Sequence, residues 1–134
     1  MSDDNPTGAR WRVWLDFTRP FTLWPPALGM VSGGITAWGA EGVPVSEHQW
    51  VLLLNIGLGA LMAAVLNGAS NAINQIYDLP VDAINKPHRA LPSKRMTITE
   101  AKLVTAALYV IALGLAAAVN WQCFSMAAIA AVLT

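Results

Sequence analysis

The chain has 134 residues, of which 55% are hydrophobic and 12% charged, and its formal net charge is zero. Such totals offer no basic surface for a nucleic acid, and the charged share is well below the quarter or so usual in a soluble domain. The deficit lies in three runs without Lys, Arg, Asp or Glu, at 20–40, 48–77 and 103–134, and a bilayer core needs only about 20 apolar helical residues.

In chain order, residues 1–18 read as a cytoplasmic tail followed by an interfacial segment. The tail is polar and contains Pro6 and Gly8, whereas Trp11, Trp14 and Leu15 alternate with Arg10, Arg12 and Asp16 in a pattern suited to a short helix lying at the membrane surface. From residue 19 onwards a transmembrane domain is expected, with spans at about 21–40, 49–77, 99–119 and 121–134, the last cut off by the end of the chain. A cleaved signal peptide fits the first run poorly, because it starts near residue 20, contains Trp24 and Pro25-Pro26, and is followed by further apolar runs. Gly29, Gly33 and Gly34 in the first span, and Gly57, Gly59 and Gly68 in the second, are small surfaces that let a neighbouring helix approach closely.

The connector at 41–48 has Gly42 and Pro44 as turn formers and only Glu41 and Glu47 as charges. All eight basic residues fall elsewhere: Arg10, Arg12 and Arg19 precede the first span, and Lys86, Arg89, Lys94, Arg95 and Lys102 follow the second. The positive-inside rule then places the N-terminus and the loop after the second span in the cytoplasm, with a short outer loop between. The six tryptophans, at 11, 14, 24, 38, 50 and 121, sit near expected span ends as interfacial anchors. The third span opens on Thr97-Ile98-Thr99-Glu100, a capping box in which Glu100 satisfies backbone donors. Trp121-Gln122 marks the break before a fourth helix, and Cys123, the single cysteine, is expected to be a small buried hydrophobe.

At the inner end of the second span, Asn71, Asn74, Asp78 and Asp82 are spaced by three, four and four residues, which gives one polar stripe on a helix, extended by Asn85. Amide and carboxylate oxygens in a row are hard ligands suited to Mg²⁺ shared with a substrate phosphate. Acidic groups at a membrane boundary are costly unless paired or metal-bound, so function is preferred here over a helix merely emerging into water. Pro80 lacks an amide hydrogen and should kink or end the helix around Leu79, so that Asp78 and Asp82 converge from two segments. Lys86 and Arg89 follow closely enough to stabilise a diphosphate leaving group. Lys94 and Arg95 are explained by topology alone, and His88 as a surface residue.

The string Asn74-x-x-x-Asp78-x-x-x-Asp82, then Asn85-Lys86-Pro87-x-Arg89-x-Leu91-Pro92-Ser93, resembles the first signature of the UbiA superfamily of intramembrane prenyltransferases. Arg19-Pro20 also resembles the family's N-terminal pattern, and the likeness runs from about Asp16 to the end. Ala90 and Lys94 stand where many members have Pro and Gly. The resemblance implies an all-α, polytopic helical bundle, of which this chain would hold about three to four helices. It further implies Mg²⁺-dependent transfer of an isoprenyl group from a prenyl diphosphate to an aromatic or lipid acceptor within the membrane. Asn74, Asp78 and Asp82 would be the metal ligands, Asp78 and Asp82 the catalytic pair, and Asn74, Lys86 and Arg89 the diphosphate-binding residues. Localisation to the cell's inner or plasma membrane follows. The second aspartate motif of the family is not in this sequence, so the chain is expected to be the N-terminal part of a longer enzyme and inactive alone. The competing class is a non-enzymatic membrane protein, either a cation-binding transporter or a degenerate prenyltransferase scaffold.

Overall fold

The computed structural model describes the backbone of residues 6–41 and 49–134, and side chains at 10–40 and 49–134. The expected tail before Pro6 and the expected outer turn with Gly42, Pro44 and Glu47 lie outside the described residues. The elements are α1 (Pro6–Thr18), a 3-10 turn (Pro20–Thr22), α2 (Trp24–Glu41), α3 (Gln49–Tyr77), α4 (Leu79–Asn85), α5 (Ile98–Val119) and α6 (Trp121–Val132). No strand occurs among the described residues, so the all-α expectation holds.

α1 starts on Pro6, ahead of the interfacial segment read from Arg10, because a proline in the first helical turn gives up an amide that has no partner there anyway. Pro25 and Pro26 open α2 in the same way. α5 begins at an N-cap: Thr97 Oγ accepts from the amide of Glu100 at 3.1 Å. α5 ends at Val119 and α6 begins at Trp121, with Asn120 between them. Asn120 adopts an extended backbone and its side-chain oxygen accepts from the Cys123 amide at 2.7 Å, so a single residue ends α5 and caps α6.

Central in the packing is α3, which lies against α1, α2 and α5, with α6 folded back on α5. Its contacts and those of α5 are made by small side chains. Ala69, Ala72, Ala101, Ala112 and Ala116 are fully buried, while Leu54, Leu61, Leu103 and Val110 are exposed. That inverts the arrangement of a soluble core, in which large aliphatics go inside, and it is the pattern of helices that pack closely within lipid. α3 and α5 are long and apolar enough to cross a membrane, yet only 17% of each apolar stretch is buried. α2 forms where the first span is expected but is not among the helices that pass the same test, since Ser32, Thr36, Trp24, Trp38, Glu41 and its prolines and glycines dilute its apolar character.

The glycines divide by contact. A methyl group at Gly34 would lie 2.6 Å from Ile56 Cγ1, and one at Gly59 would lie 2.8 Å from Met30 Cε, so these two set the close approach of α2 and α3. Gly68 faces Leu23 at ordinary contact distance, whereas Gly29, Gly33 and Gly57 border open space. Two apolar clusters complete the packing. Phe17, Ala72, Ala90, Leu91, Met96 and Ala101 join α1, α3, α5 and the loop after α4. Met62, Ala116 and Ala127 join α3, α5 and α6, with Cys123 half-buried beside them, less enclosed than expected.

Candidate functional site

The end of α3 is where the polar residues collect. Pro80 cannot donate to the helical ladder, so α3 stops at Tyr77 and α4 restarts at Leu79, with Asp78 as the joint at φ −79° and ψ 2°. The register nevertheless continues: the Asp78 amide donates to Asn74 O, the Asp82 amide to Asp78 O and the Lys86 amide to Asp82 O, each at 2.8 Å. Asn74, Asp78 and Asp82 therefore remain one turn apart across the break.

They differ in environment. Asn74 and Asp78 are exposed, and neither side chain is hydrogen-bonded among the described residues. Asp82 is buried, its side chain 5% exposed, and the Arg89 guanidinium, itself 16% exposed, donates to its Oδ2. Lys86 Nζ stands 3.9 Å from the other oxygen and is half-exposed. Of the residues singled out beforehand, the structure thus joins Asp82, Lys86 and Arg89 directly and leaves Asn74 and Asp78 open at the surface beside them. Among the described residues no group of three or more His, Cys, Asp and Glu is placed to hold a metal.

Asn71, read as part of the same stripe, is committed elsewhere. Its amide donates to Thr22 Oγ at 2.7 Å and to Thr18 O at 3.4 Å. Asn67 donates to Thr22 O at 2.9 Å, and Gln75 Nε2 donates to Phe17 O. Asn67, Asn71 and Gln75 recur at intervals of four residues, which puts them on one face of α3. That row of amides holds the chain between α1 and α2, and its spacing was a legible signal that the acidic motif overshadowed.

Asp16, Arg19, Gln75, Lys86, Arg89 and Arg95 line a pocket of about 450 Å³ between α1, α3 and the loop after α4. Arg95, set aside in the sequence as a topological charge, organises this wall. Its guanidinium reaches Asp16 Oδ2 at 3.1 Å and His88 O at 2.9 Å, and its Nε reaches Ser93 Oγ at 3.1 Å. His88 is exposed. Arg19, at the joint between α1 and the 3-10 turn, also lines the pocket and has a left-handed backbone, φ 55°. Glu100 also departs from the simple cap. Its amide is capped by Thr97, but its carboxylate accepts from Trp14 Nε1 at 2.9 Å and pairs with Arg10 at 2.9 Å, tying α1 to α5.

A second cavity, about 700 Å³ and mainly apolar, runs between α2, α3 and α6 along Met30, Met62, Leu66, Ser70, Cys123 and Met126. Ser70 precedes Asn74 by four residues, so the face of α3 that lines this groove continues into the motif.

A profile of the UbiA prenyltransferase family matches residues 30–134, which includes the whole motif and the basic loop. The chain belongs to the UbiA prenyltransferase family. Relatives of this UbiA chain include the digeranylgeranylglyceryl phosphate synthase of Methanopyrus kandleri, 33% identical over 124 residues, covering 91% of this chain and 41% of the relative. The enzyme of the same name from Saccharolobus solfataricus is 32% identical over 91 residues, covering 68% of this chain and 32% of its own length. The bacteriochlorophyll synthase 33 kDa chain of Rhodobacter capsulatus is 31% identical over 122 residues, covering 91% of this chain and 36% of its own. The UbiA chain therefore spans less than half the length of these relatives. No solved structure matches it.

Proposed function

We propose that the complete gene product transfers an isoprenyl group from a prenyl diphosphate to a lipid or aromatic acceptor at the membrane, and that this chain carries the donor-binding part of the site. The observation that carries the reading is the succession of three environments along the C-terminal half of α3: an apolar groove that reaches Ser70, the exposed oxygen donors Asn74 and Asp78 one and two turns further on, and the cationic pocket at Gln75, Lys86 and Arg89. An amphiphile with a polyanionic head and a long hydrocarbon tail matches that sequence of surfaces. Its tail would lie along Met62, Leu66 and Met126, and its head would sit between Asn74, Asp78 and the pocket.

Asn74 and Asp78 fit magnesium, since both are exposed and offer an amide and a carboxylate oxygen, hard ligands that leave room for substrate phosphate oxygens, whereas Asp82 would join them only by turning away from Arg89 and Lys86. When bound, Mg²⁺ would neutralise charge that builds on the departing diphosphate. Lys86 and Arg89 supply fixed positive charge to the same end. Arg89 has a second task, since it holds Asp82 in place and keeps that buried carboxylate from standing alone. Cleavage of the donor's C–O bond leaves an allylic cation in the groove, where apolar walls exclude water until the acceptor attacks.

Family membership and the cluster of cations after α3 support a cytoplasmic site in a multi-pass protein with a cytoplasmic N-terminus. The test of the activity is transfer from a labelled prenyl diphosphate in membranes that contain the complete gene product. Transfer that requires Mg²⁺ and stops on chelation is expected. A protein that consumes no prenyl diphosphate, with either a glycerol phosphate lipid or an aromatic acceptor supplied, would contradict it. The sequence relatives named for a glyceryl phosphate product make the phosphate-bearing lipid the first acceptor to try.

A further inference from the structure

The apolar groove has a neighbour further along α3. Met62 and Leu66 line the groove, while Asn55 and Ile56 line a smaller cavity of about 280 Å³ between α2, α3 and the end of α5. With Gly59 between them these positions recur every three or four residues, so groove and cavity are two stretches of one helical face. Met30 and Val119 border both. The division falls at Gly59. Met30 reaches across from α2, and its Cε lies 2.8 Å from where a Cβ on Gly59 would stand, so the thioether tip fills the notch that the glycine leaves. The far side of this crossbar is less suited to hydrocarbon. Asn55 makes no side-chain hydrogen bond among the described residues, and covering an unpaired amide with apolar groups is costly.

We propose that Met30 is a specificity-determining residue that stops the donor's hydrocarbon tail at Gly59 and so sets the longest donor accepted. This deepens the reading of the groove given above and rests on it. Gly59 lies fifteen residues before Asn74, which at about 1.5 Å per residue leaves about 22 Å of α3 between motif and crossbar. An extended tail of about four isoprene units, with C–C bonds of about 1.5 Å in zigzag, spans about 20 Å. A tail of about six units spans about 30 Å and has to pass Met30 into the outer cavity. Methionine suits such a partition, because its unbranched side chain fills an irregular gap without rigid shape. The outer cavity is open space: a Cβ at Gly29 or Gly33 on its wall meets nothing within 4 Å, so a larger side chain there can refill it.

The test uses the complete gene product, purified in detergent, with prenyl diphosphates of four and six isoprene units as probes. The quantity read is the ratio of their affinities and, with Mg²⁺ and an acceptor supplied, the ratio of their kcat/KM values. The wild type is expected to favour the four-unit donor. Met30→Ala should raise the six-to-four ratio by about tenfold or more by joining the two cavities, and Met30→Val, a smaller truncation, should raise it by less. Gly33→Leu added to Met30→Ala should return the ratio towards the wild-type value, since the leucine refills the outer cavity, whereas Gly33→Leu alone should not move it. A purely structural role for Met30 would weaken both donors together and give no such reversal. An unchanged ratio in both Met30 variants, or a raised ratio that Gly33→Leu leaves in place, would overturn the assignment. If the ratio of affinities shifts as described while no donor is consumed, the enzymatic reading fails and the length limit stands. If the wild type and both Met30 variants transfer the two groups with one and the same preference, the length limit fails and the enzymatic reading stands.

Discussion

Lys94 adopts φ 59°, a left-handed backbone, at the position where the resemblance expects glycine. A side chain there costs about 1 kcal/mol or more relative to a residue free of a Cβ. Lys94→Gly should therefore stabilise the protein by roughly 0.5–1 kcal/mol after the added flexibility of the unfolded chain is counted, measured as a higher melting temperature in detergent. The two aspartates make a sharper pair. Asp82 is buried against Arg89 and half-exposed Lys86, so Asp82→Ala leaves a mostly buried guanidinium uncompensated, a loss of roughly 3 kcal/mol. Asp78 is exposed and without a side-chain partner among the described residues, so Asp78→Ala should change stability by less than about 0.5 kcal/mol. Comparing denaturation midpoints of the two variants checks this, and equal losses would show that Asp78 is also structural. Their spacing was legible in the sequence, but their unequal burial was not. It depends on Arg89, seven residues on in a loop whose path is set by Leu91 and Met96 entering the cluster around Phe17.

Among the elements, the Pro80 break was legible because a missing amide acts locally. The destination of the Glu100 carboxylate was not, since a capping box and a partner 86 residues away compete for one side chain and only the docking of α1 decides. Removing it by Glu100→Ala should free α1, which would appear as faster tryptic cleavage at Arg10 and Arg12 and a shift in Trp14 emission. The exposed position of Arg10 argues against any large change in global stability. Glycine composition was likewise informative for close packing in general and silent on which glycines are in contact. Gly34→Ala, which meets Ile56, should destabilise the α2–α3 contact by about 1–3 kcal/mol. Gly33→Ala, which meets nothing within 4 Å, should be neutral or stabilise by up to about 1 kcal/mol through helix propensity. Melting temperatures of the two variants, one residue apart, report directly on that packing.

At the scale of the molecule, runs without charge were enough to give an all-helical membrane architecture, because lipid imposes length and composition on each helix separately. They did not reveal the surfaces that several helices build together. The amide row at Asn67, Asn71 and Gln75 and the groove that reaches Ser70 require both the helical face and the neighbour that it meets. The central claim is that the motif at the end of α3 acts on a prenyl diphosphate. Its most direct test uses membranes with equal amounts of the complete gene product, wild type or Asp78→Ala, supplied with labelled prenyl diphosphate, Mg²⁺ and an acceptor. The account predicts that transfer falls by on the order of 100- to 1,000-fold while the variant accumulates and melts as the wild type does. Wild-type transfer by Asp78→Ala would contradict it.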